Sequence, residues 1–161
     1  DDDFEMITSE LKKNDANVKA LYTANNSQLT VRSAPYLSEM IEATTKLVKI
    51  SFDEKSIDDT WAIQIALAMK VNRSVKTLWL HHCRIKDEGA KALGEALAIN
   101  HTLTDLGLNF NPIHSGGAAA LAMGLQQNAT LTFLNMRGLS KTSEGAKALL
   151  NAKSGILRID F

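Results

Sequence analysis

The chain repeats itself most clearly in two consecutive stretches, VKTLWLHHCRIKDEGAKALGEALAINHT (residues 75–102) and LTDLGLNFNPIHSGGAAALAMGLQQNAT (residues 103–130). Aligned with each other, these stretches of 28 residues carry aliphatic side chains at the same three positions, in the spacing L-x-x-L-x-L. A fixed period of this length is typical of proteins built from stacked, nearly identical units. The rest of the chain is therefore best interpreted by looking for further copies.

The pattern occurs six times along the chain, with aliphatic or similar substitutes at some positions. The copies are Val18-Leu21-Thr23, Leu47-Ile50-Phe52, Val75-Leu78-Leu80, Leu103-Leu106-Leu108, Leu131-Leu134-Met136 and Ile156-Ile159-Phe161. Their first positions are 29, 28, 28, 28 and 25 residues apart, and three equal periods in succession are difficult to obtain by chance. We predict strands near residues 18–23, 47–52, 75–80, 103–108, 131–136 and 156–161.

Each unit also carries a helical pattern after its strand. Aliphatic side chains four residues apart indicate one helical face in three units: Ile65 and Met69, Leu93 and Leu97, Leu121 and Leu125. Asp87, Ser115 and Ser143 precede the helical patterns and are residue types that cap helix N-termini. An Asn-x-Ser/Thr turn follows the helices at Asn72, Asn100 and Asn128. Each unit is thus predicted to run strand, loop, helix, turn.

A 28–29-residue period with helices resembles the ribonuclease-inhibitor type of leucine-rich repeat. This resemblance implies one domain over residues 1–161, an α/β right-handed solenoid with parallel strands on the concave face and helices on the convex face. Phe4, Ile7 and Leu11 share one helical face, so we expect residues 4–13 to form a helix that covers the N-terminal edge. The last predicted strand ends at Phe161, and we expect further repeats or self-association to cover its edge.

Three segments resemble the repeat domain of tropomodulin and leiomodin. They are Leu11-Lys12-Lys13-Asn14-Asp15, residues 69–78 and Asn128-Ala129-Thr130-Leu131-Thr132, and the resemblance spans roughly residues 4–137. The resemblance implies a protein that binds actin at the slow-growing filament end, in the cytoplasm and on the cytoskeleton. Ciliary scaffolds, innate-immune sensors and microbial effectors share this repeat type, so a general recognition module with another partner remains an alternative. A third alternative is a structural segment of a longer solenoid.

Composition narrows the possible functions. Among 161 residues, 18 are basic and 18 are acidic, a balance that argues against a nucleic-acid partner. No apolar run approaches the roughly 18 residues needed to span a bilayer, so we expect no membrane partner. The single cysteine, Cys83, excludes an intramolecular disulfide and suits a reducing compartment.

The sequence contains no recognisable catalytic or cofactor motif, such as a P-loop, a nucleophile elbow or H-E-x-x-H. We therefore expect a protein that is not an enzyme and that uses no cofactor. The run His81-His82-Cys83 suggests metal ligands, but neighbouring strand residues point to opposite faces and do not converge. We instead expect Cys83, with Asn26 and Asn111, to occupy a buried ladder that satisfies loop backbone groups.

Residues between the aliphatic positions of each strand should point to the concave face and form columns across the sheet. The columns are Ala20, Lys49, Thr77, Asp105, Phe133 and Arg158; Tyr22, Ser51, Trp79, Gly107, Asn135 and Asp160; and Ala24, Asp53, His81, Asn109 and Arg137. From them we predict a protein-binding surface made of Tyr22, Lys49, Asp53, Trp79, His81, Asp105, Asn109, Phe133, Asn135, Arg137 and Arg158.

Trp79 is the most prominent member of this surface. Its small neighbours Ser51 and Gly107 should leave hollows beside the ring, and exposed tryptophan is enriched among interface hot spots. The alternative is that the ring lies flat over the sheet. Asp53 and His81 form either a pair that raises the histidine pKa or a solvated polar pair. Phe110 either adds apolar area to the same side or packs between neighbouring loops.

Four Asn-x-Ser/Thr sequences, at Asn25, Asn72, Asn100 and Asn128, match the acceptor motif for N-glycosylation. Three of them recur at the repeat period, where asparagine ends a helix and Ser or Thr supports a turn. We favour this structural explanation over glycosylation.

Overall fold

The computed structural model describes residues 1–13, 17–24, 29–53, 55–152 and 157–161. Within these ranges, six strands form one parallel sheet, and their order in the sheet follows their order in the chain. The strands are β1 (Ala20–Ala24), β2 (Lys49–Asp53), β3 (Thr77–His81), β4 (Asp105–Gly107), β5 (Phe133–Asn135) and β6 (Arg158–Asp160). Each strand begins two residues after the first position of its L-x-x-L-x-L pattern.

Helices alternate with the strands and form a second layer. They are α1 (Asp2–Lys12), α2 (Ala34–Ala43), α3 (Asp59–Val71), α4 (Asp87–Ile99), α5 (Ser115–Leu125) and α6 (Glu144–Ala152), with a short 3₁₀ turn at Val31–Ser33 before α2. Each helix packs against the next one along the chain. The predicted α/β repeat fold is confirmed, and we call the sheet face opposite the helices the concave face.

The aliphatic residues of the repeat form the core between the two layers. Ile50, Leu78, Leu106 and Leu134 are aligned on adjacent strands, and all four are fully buried. The first positions of four patterns, Leu47, Val75, Leu103 and Leu131, are buried as well. Because every unit contributes the same positions, the core continues from one unit to the next.

Helix α1 packs against the core through Phe4 and Leu11, two of the three residues of the predicted face. Phe4 and Thr8 are buried, whereas Ile7 is 45% exposed. The Phe4 ring meets Phe52 and Trp61 at centroid distances of 6.4 and 6.0 Å, so three aromatic rings close this end of the core. Thr8 tolerates burial because its hydroxyl donates to the Phe4 carbonyl oxygen at 2.9 Å.

Of the three predicted caps, Asp87 acts on the next unit and Ser143 acts within its own unit. Asp87 and Ser115 are the first residues of α4 and α5, and the N-cap positions belong to Lys86 and His114. The Asp87 carboxylate accepts from the His114 amide at 2.7 Å, so an acid on one helix caps the next helix. Ser143 does cap its own helix, accepting from the Ala146 amide at 3.1 Å.

Asp59 repeats this arrangement one unit earlier. Its Oδ1 accepts from the amides of Lys86 at 2.7 Å and Gly89 at 2.9 Å, at the start of α4. Negative charge at a helix N-terminus is favourable, because free amides and the helix dipole both attract it. The acids therefore link helices α3, α4 and α5 in series.

The turns after the helices form a buried asparagine ladder. Asn100 Nδ2 donates to the carbonyl oxygens of Met69 at 2.7 Å and Asn72 at 3.1 Å, and its Oδ1 accepts from the amides of Thr102 and Leu103. Asn72 and Asn128 make the equivalent bonds. These buried amide nitrogens are engaged inside the protein, in agreement with the structural explanation of the sequons. Asn25 lies outside the described residues.

Candidate protein-binding face

The strand register aligns the predicted columns across the concave face. Lys49, Thr77, Asp105, Phe133 and Arg158 are consecutive partners, as are Tyr22, Ser51, Trp79, Gly107, Asn135 and Asp160. In the third column, Asp53 lies opposite His81. Within these columns the aromatic rings and the charged groups fall into two clusters, one at each end of the sheet.

The first cluster is centred on Lys49. Its ammonium nitrogen lies 3.6 Å from the centroid of the Trp79 ring and 5.2 Å from that of Tyr22. A cation over an aromatic face is attracted by the ring quadrupole, which restrains all three side chains. Tyr22 is 63% exposed, so this cluster presents both an aromatic edge and a positive charge to solvent.

The predicted hollow beside Trp79 does not exist at Gly107. A Cβ atom at Gly107 would lie 2.3 Å from His81 Cε1 and 3.0 Å from Trp79 Cδ1, so the two rings already occupy this space. Their centroids are 5.3 Å apart. Trp79 is half-buried and lies partly over the sheet, as the alternative interpretation held, while the rest of the side chain remains accessible.

Of the two alternatives for Asp53 and His81, the pair that raises the histidine pKa is not formed. Asp53 Oδ1 instead lies 3.1 Å from Nδ1 of His82. His82 has a φ of 49°, and this left-handed conformation ends the strand alternation that the sequence argument assumed. Burial lowers the pKa of His81, and the charge of Asp53 offsets this effect only in part.

Three polar atoms on this part of the face are buried without a hydrogen-bond partner among the described residues: Trp79 Nε1, His81 Nδ1 and Asn109 Oδ1. Asn109 lies close enough to His81 to affect its pKa, but the two side chains do not meet in hydrogen-bonding geometry. Most buried polar groups in proteins are paired, so these three atoms are exceptions in this part of the structure.

The second cluster lies at β5 and β6. Arg158 binds Asp160 through two bonds of 2.9 and 3.0 Å, and its guanidinium carbon lies 5.5 Å from the Phe133 ring centroid. Arg137 approaches the same carboxylate at 3.6 Å. The Arg158 hydrogen bonds hold the pKa of Asp160 below its usual range. Asn135 Oδ1 accepts from the Arg137 amide, and Asp105 accepts from the Thr104 hydroxyl.

The loops that follow the strands contain a group that the sequence argument did not assign to the site. The Phe110 and His82 rings are stacked, with centroids 4.8 Å apart and planes only 5° from parallel. Phe110 therefore contacts the neighbouring loop, in agreement with the second of its two predicted alternatives, yet remains 53% exposed. His82 and Phe110 occupy the same position in successive units, which is the signal that would have linked them.

Cys83 and Asn111 lie where the loop ladder was predicted. Asn111 Nδ2 donates to the carbonyl oxygens of Leu80 at 2.7 Å and Leu108 at 3.1 Å, and its Oδ1 accepts from the Ile85 amide. The buried Cys83 thiol donates to the His81 carbonyl oxygen at 3.2 Å. Asn26 lies outside the described residues.

Among the described residues, no three or more His, Cys, Asp or Glu side chains are grouped closely enough to hold a metal ion. The described helices include none that is both long enough and apolar enough to cross a membrane.

The fold and the repeat pattern together define an α/β solenoid of leucine-rich repeats. A leucine-rich-repeat sequence profile matches residues 71–94 and 100–122. No curated protein sequence matches the chain.

Two solved structures show the same architecture over nearly the whole chain. One is described as leiomodin-1 actin-binding site 2, with a TM-score of 0.75 and 24% identity, covering 92% of this chain and 86% of the other. The second is the tropomodulin C-terminal domain of Caenorhabditis elegans, with a TM-score of 0.77 and 16% identity, covering 93% and 90%. The resemblance to the tropomodulin and leiomodin repeat domain is thus confirmed at the level of the fold.

Proposed function

We propose that the chain is a non-enzymatic protein-binding module whose concave face contacts the partner. The observation that carries this proposal is the Lys49 cluster, in which one cation is held between the rings of Trp79 and Tyr22. Large aromatic side chains that are already restrained lose little conformational entropy on binding, and they dominate many interfaces.

The charges on the face favour selectivity over general attraction. Lys49 and Arg158 carry positive charge, whereas Asp53 and Asp105 carry negative charge, and the chain has no net charge. Such a mixed surface orients a partner and penalises those with mismatched charges. This pattern supports recognition of one folded protein rather than binding to a uniformly charged polymer.

For the partner, we propose actin, with capping of the slow-growing filament end and a cytoskeletal location. The similarity of the fold to a structure described as an actin-binding site of leiomodin-1 supports this choice. The choice of actin as the partner is carried over from leiomodin-1, because the fold alone does not specify a partner.

The test measures elongation of actin filaments at the slow-growing end, together with cosedimentation. We expect the wild-type chain to slow elongation, and Trp79→Ala to weaken the effect at least about fivefold, as for a hot-spot residue. Met123→Ala is the matched control, because Met123 is 66% exposed on α5, away from the concave face.

Two results would overturn different parts of the proposal. If the wild-type chain neither slows elongation nor cosediments with actin, actin is rejected as the partner. If the chain instead binds another protein and Trp79→Ala abolishes that binding, the binding module is retained with a different partner. Full activity of Trp79→Ala, Lys49→Ala and Tyr22→Ala would reject the concave face itself.

A further inference from the structure

One residue in the loop after each of three strands, β3, β4 and β5, has a left-handed backbone. His82, Phe110 and Gly138 have φ values of 49°, 57° and 103°, and they are 28 residues apart. Glycine adopts this conformation at no steric cost, whereas bulky side chains adopt it rarely. Two of the three units therefore carry an aromatic ring at a position where glycine is accommodated without strain.

The two rings are held in a fixed arrangement. The ring centroids of His82 and Phe110 are 4.8 Å apart. Nδ1 of His82 also lies 3.1 Å from Asp53 Oδ1. Phe110 nevertheless remains 53% exposed, although His82 covers one face of its ring. The stack thus presents aromatic surface to solvent at the edge of the concave face.

Gly138, the third residue of this series, supplies no side chain next to Phe110. A Cβ atom built on Gly138 would be 3.6 Å from Phe110 Cδ1, an ordinary contact distance. A side chain from the third unit would therefore reach the Phe110 ring, but glycine supplies none. We call the space that such a side chain would occupy next to Phe110 the gap, and a planar group from another molecule could enter it and stack on the exposed ring.

The charges around the gap select between an aromatic ring and a guanidinium group. Arg137 precedes Gly138, and its side chain is 58% exposed. Arg137 lies 3.6 Å from the carboxylate of Asp160, which is also bound by Arg158. The two cations Arg137 and Arg158 outnumber the one acid, Asp160, so a guanidinium group from a partner is disfavoured. An aromatic ring with a carboxylate next to it is favoured instead.

We propose that the gap above Gly138 binds an aromatic side chain of a partner protein, with an adjacent Asp or Glu side chain paired to Arg137. The ring stacks on Phe110, which is held in place by His82. This site rests on the proposed function, because it gives the same protein partner a second contact, centred on the loop residue Phe110 beside the third strand column.

The test uses small peptides followed by NMR titration of the labelled chain. The probe is N-acetyl-Phe-Glu-amide at millimolar concentration, and we expect saturable shifts centred on Phe110, Arg137 and Gly138. The cyclohexylalanine analogue should bind at least about threefold more weakly, because it lacks the aromatic face. N-acetyl-Phe-Lys-amide should also bind more weakly, because its ammonium group meets Arg137.

Phe110→Gly separates binding from folding. Glycine suits the positive φ, so we expect the melting temperature to be unchanged or higher while the peptide-induced shifts disappear. Phe110→Leu, which keeps an apolar side chain without a ring, should weaken the probe even if the glycine variant is unstable.

Trp79→Ala is the control for the concave face and should leave the peptide-induced shifts intact. The site is overturned if the probe binds Phe110→Gly and Phe110→Leu as well as wild type, or if the three peptides bind equally. If the peptides do not bind but protein binding depends on Trp79, only this site is rejected. If the peptides bind as expected but protein binding does not depend on Trp79, only the concave face is rejected.

Discussion

Asn100 shows how a single side chain joins adjacent units. It is almost fully buried and makes hydrogen bonds to two carbonyl oxygens and two amides, and one of those carbonyls belongs to its ladder neighbour Asn72. In the unit before that of Asn72, a hydroxyl replaces the amide, and Thr44 Oγ1 accepts from the Leu47 amide. The repeated asparagine thus satisfies backbone groups that the turn would otherwise leave buried without partners.

Replacing Asn100 should therefore destabilise the whole chain. We expect Asn100→Ala to lower the free energy of unfolding by at least about 2 kcal/mol, because several buried backbone groups lose their partners. Urea denaturation followed by circular dichroism measures this change. Asn151→Ala, at an exposed position of α6, is the matched control and should have little effect. Equal losses in the two variants would contradict the ladder's role.

At the scale of elements, helices α4 and α5 approach each other unusually closely. A Cβ atom at Gly124 would lie 2.0 Å from the Gly94 carbonyl oxygen, and one at Gly94 would lie 2.5 Å from the Ala120 carbonyl oxygen. The contact is thus made by backbone rather than by side chains. Small residues set this helix spacing, whereas the leucine pattern sets only which helical face is buried.

Gly124→Ala tests whether this contact is required. Alanine favours helix by about 1 kcal/mol over glycine, so an increase in stability is expected wherever space allows. Here we expect the opposite sign, a loss of about 1–3 kcal/mol, because the added methyl group meets rigid backbone.

Gly116→Ala is the control for this prediction, since its added Cβ would meet only the end of the Asp87 side chain. Thermal unfolding of both variants gives the comparison. A stabilised Gly124→Ala variant would show that the helices move apart at little cost.

At the scale of the whole molecule, the sheet separates a buried side from an accessible one. Leu106 is fully buried on β4, whereas Trp79 on β3 is half-buried on the concave face. Since all units share one core, removing a core residue from any central unit weakens its contacts with both neighbours.

This separation predicts unequal losses from two substitutions to alanine. Leu106→Ala should lower the free energy of unfolding by about 2–5 kcal/mol, as for other buried large-to-small changes. Trp79→Ala should cost less despite removing a larger side chain, because part of the ring is exposed and its main contacts are Lys49 and His81. Chemical denaturation of both variants measures the two free energies of unfolding. Similar losses in the two variants would mean that the buried and concave faces of the sheet were assigned incorrectly.

Much of the architecture follows from the period in the sequence. Equal spacing of Leu78, Leu106 and Leu134 implies equal register on neighbouring parallel strands, because each unit must bury the same positions against the next. The columns of the concave face follow from that register and from the alternation of strand side chains. Spacing alone therefore predicted the order of the strands and which residues share a face.

The contacts among those residues could be read only from the folded chain. Asp53 meets His82 rather than His81, the Trp79 and His81 rings fill the space at Gly107, and Asp87 caps the helix of the next unit. Each depends on a side-chain rotamer or on a left-handed backbone residue, and a hydrophobic period carries no information about either. Local sequence constrains which residues are neighbours, whereas packing against the adjacent unit determines how their atoms meet.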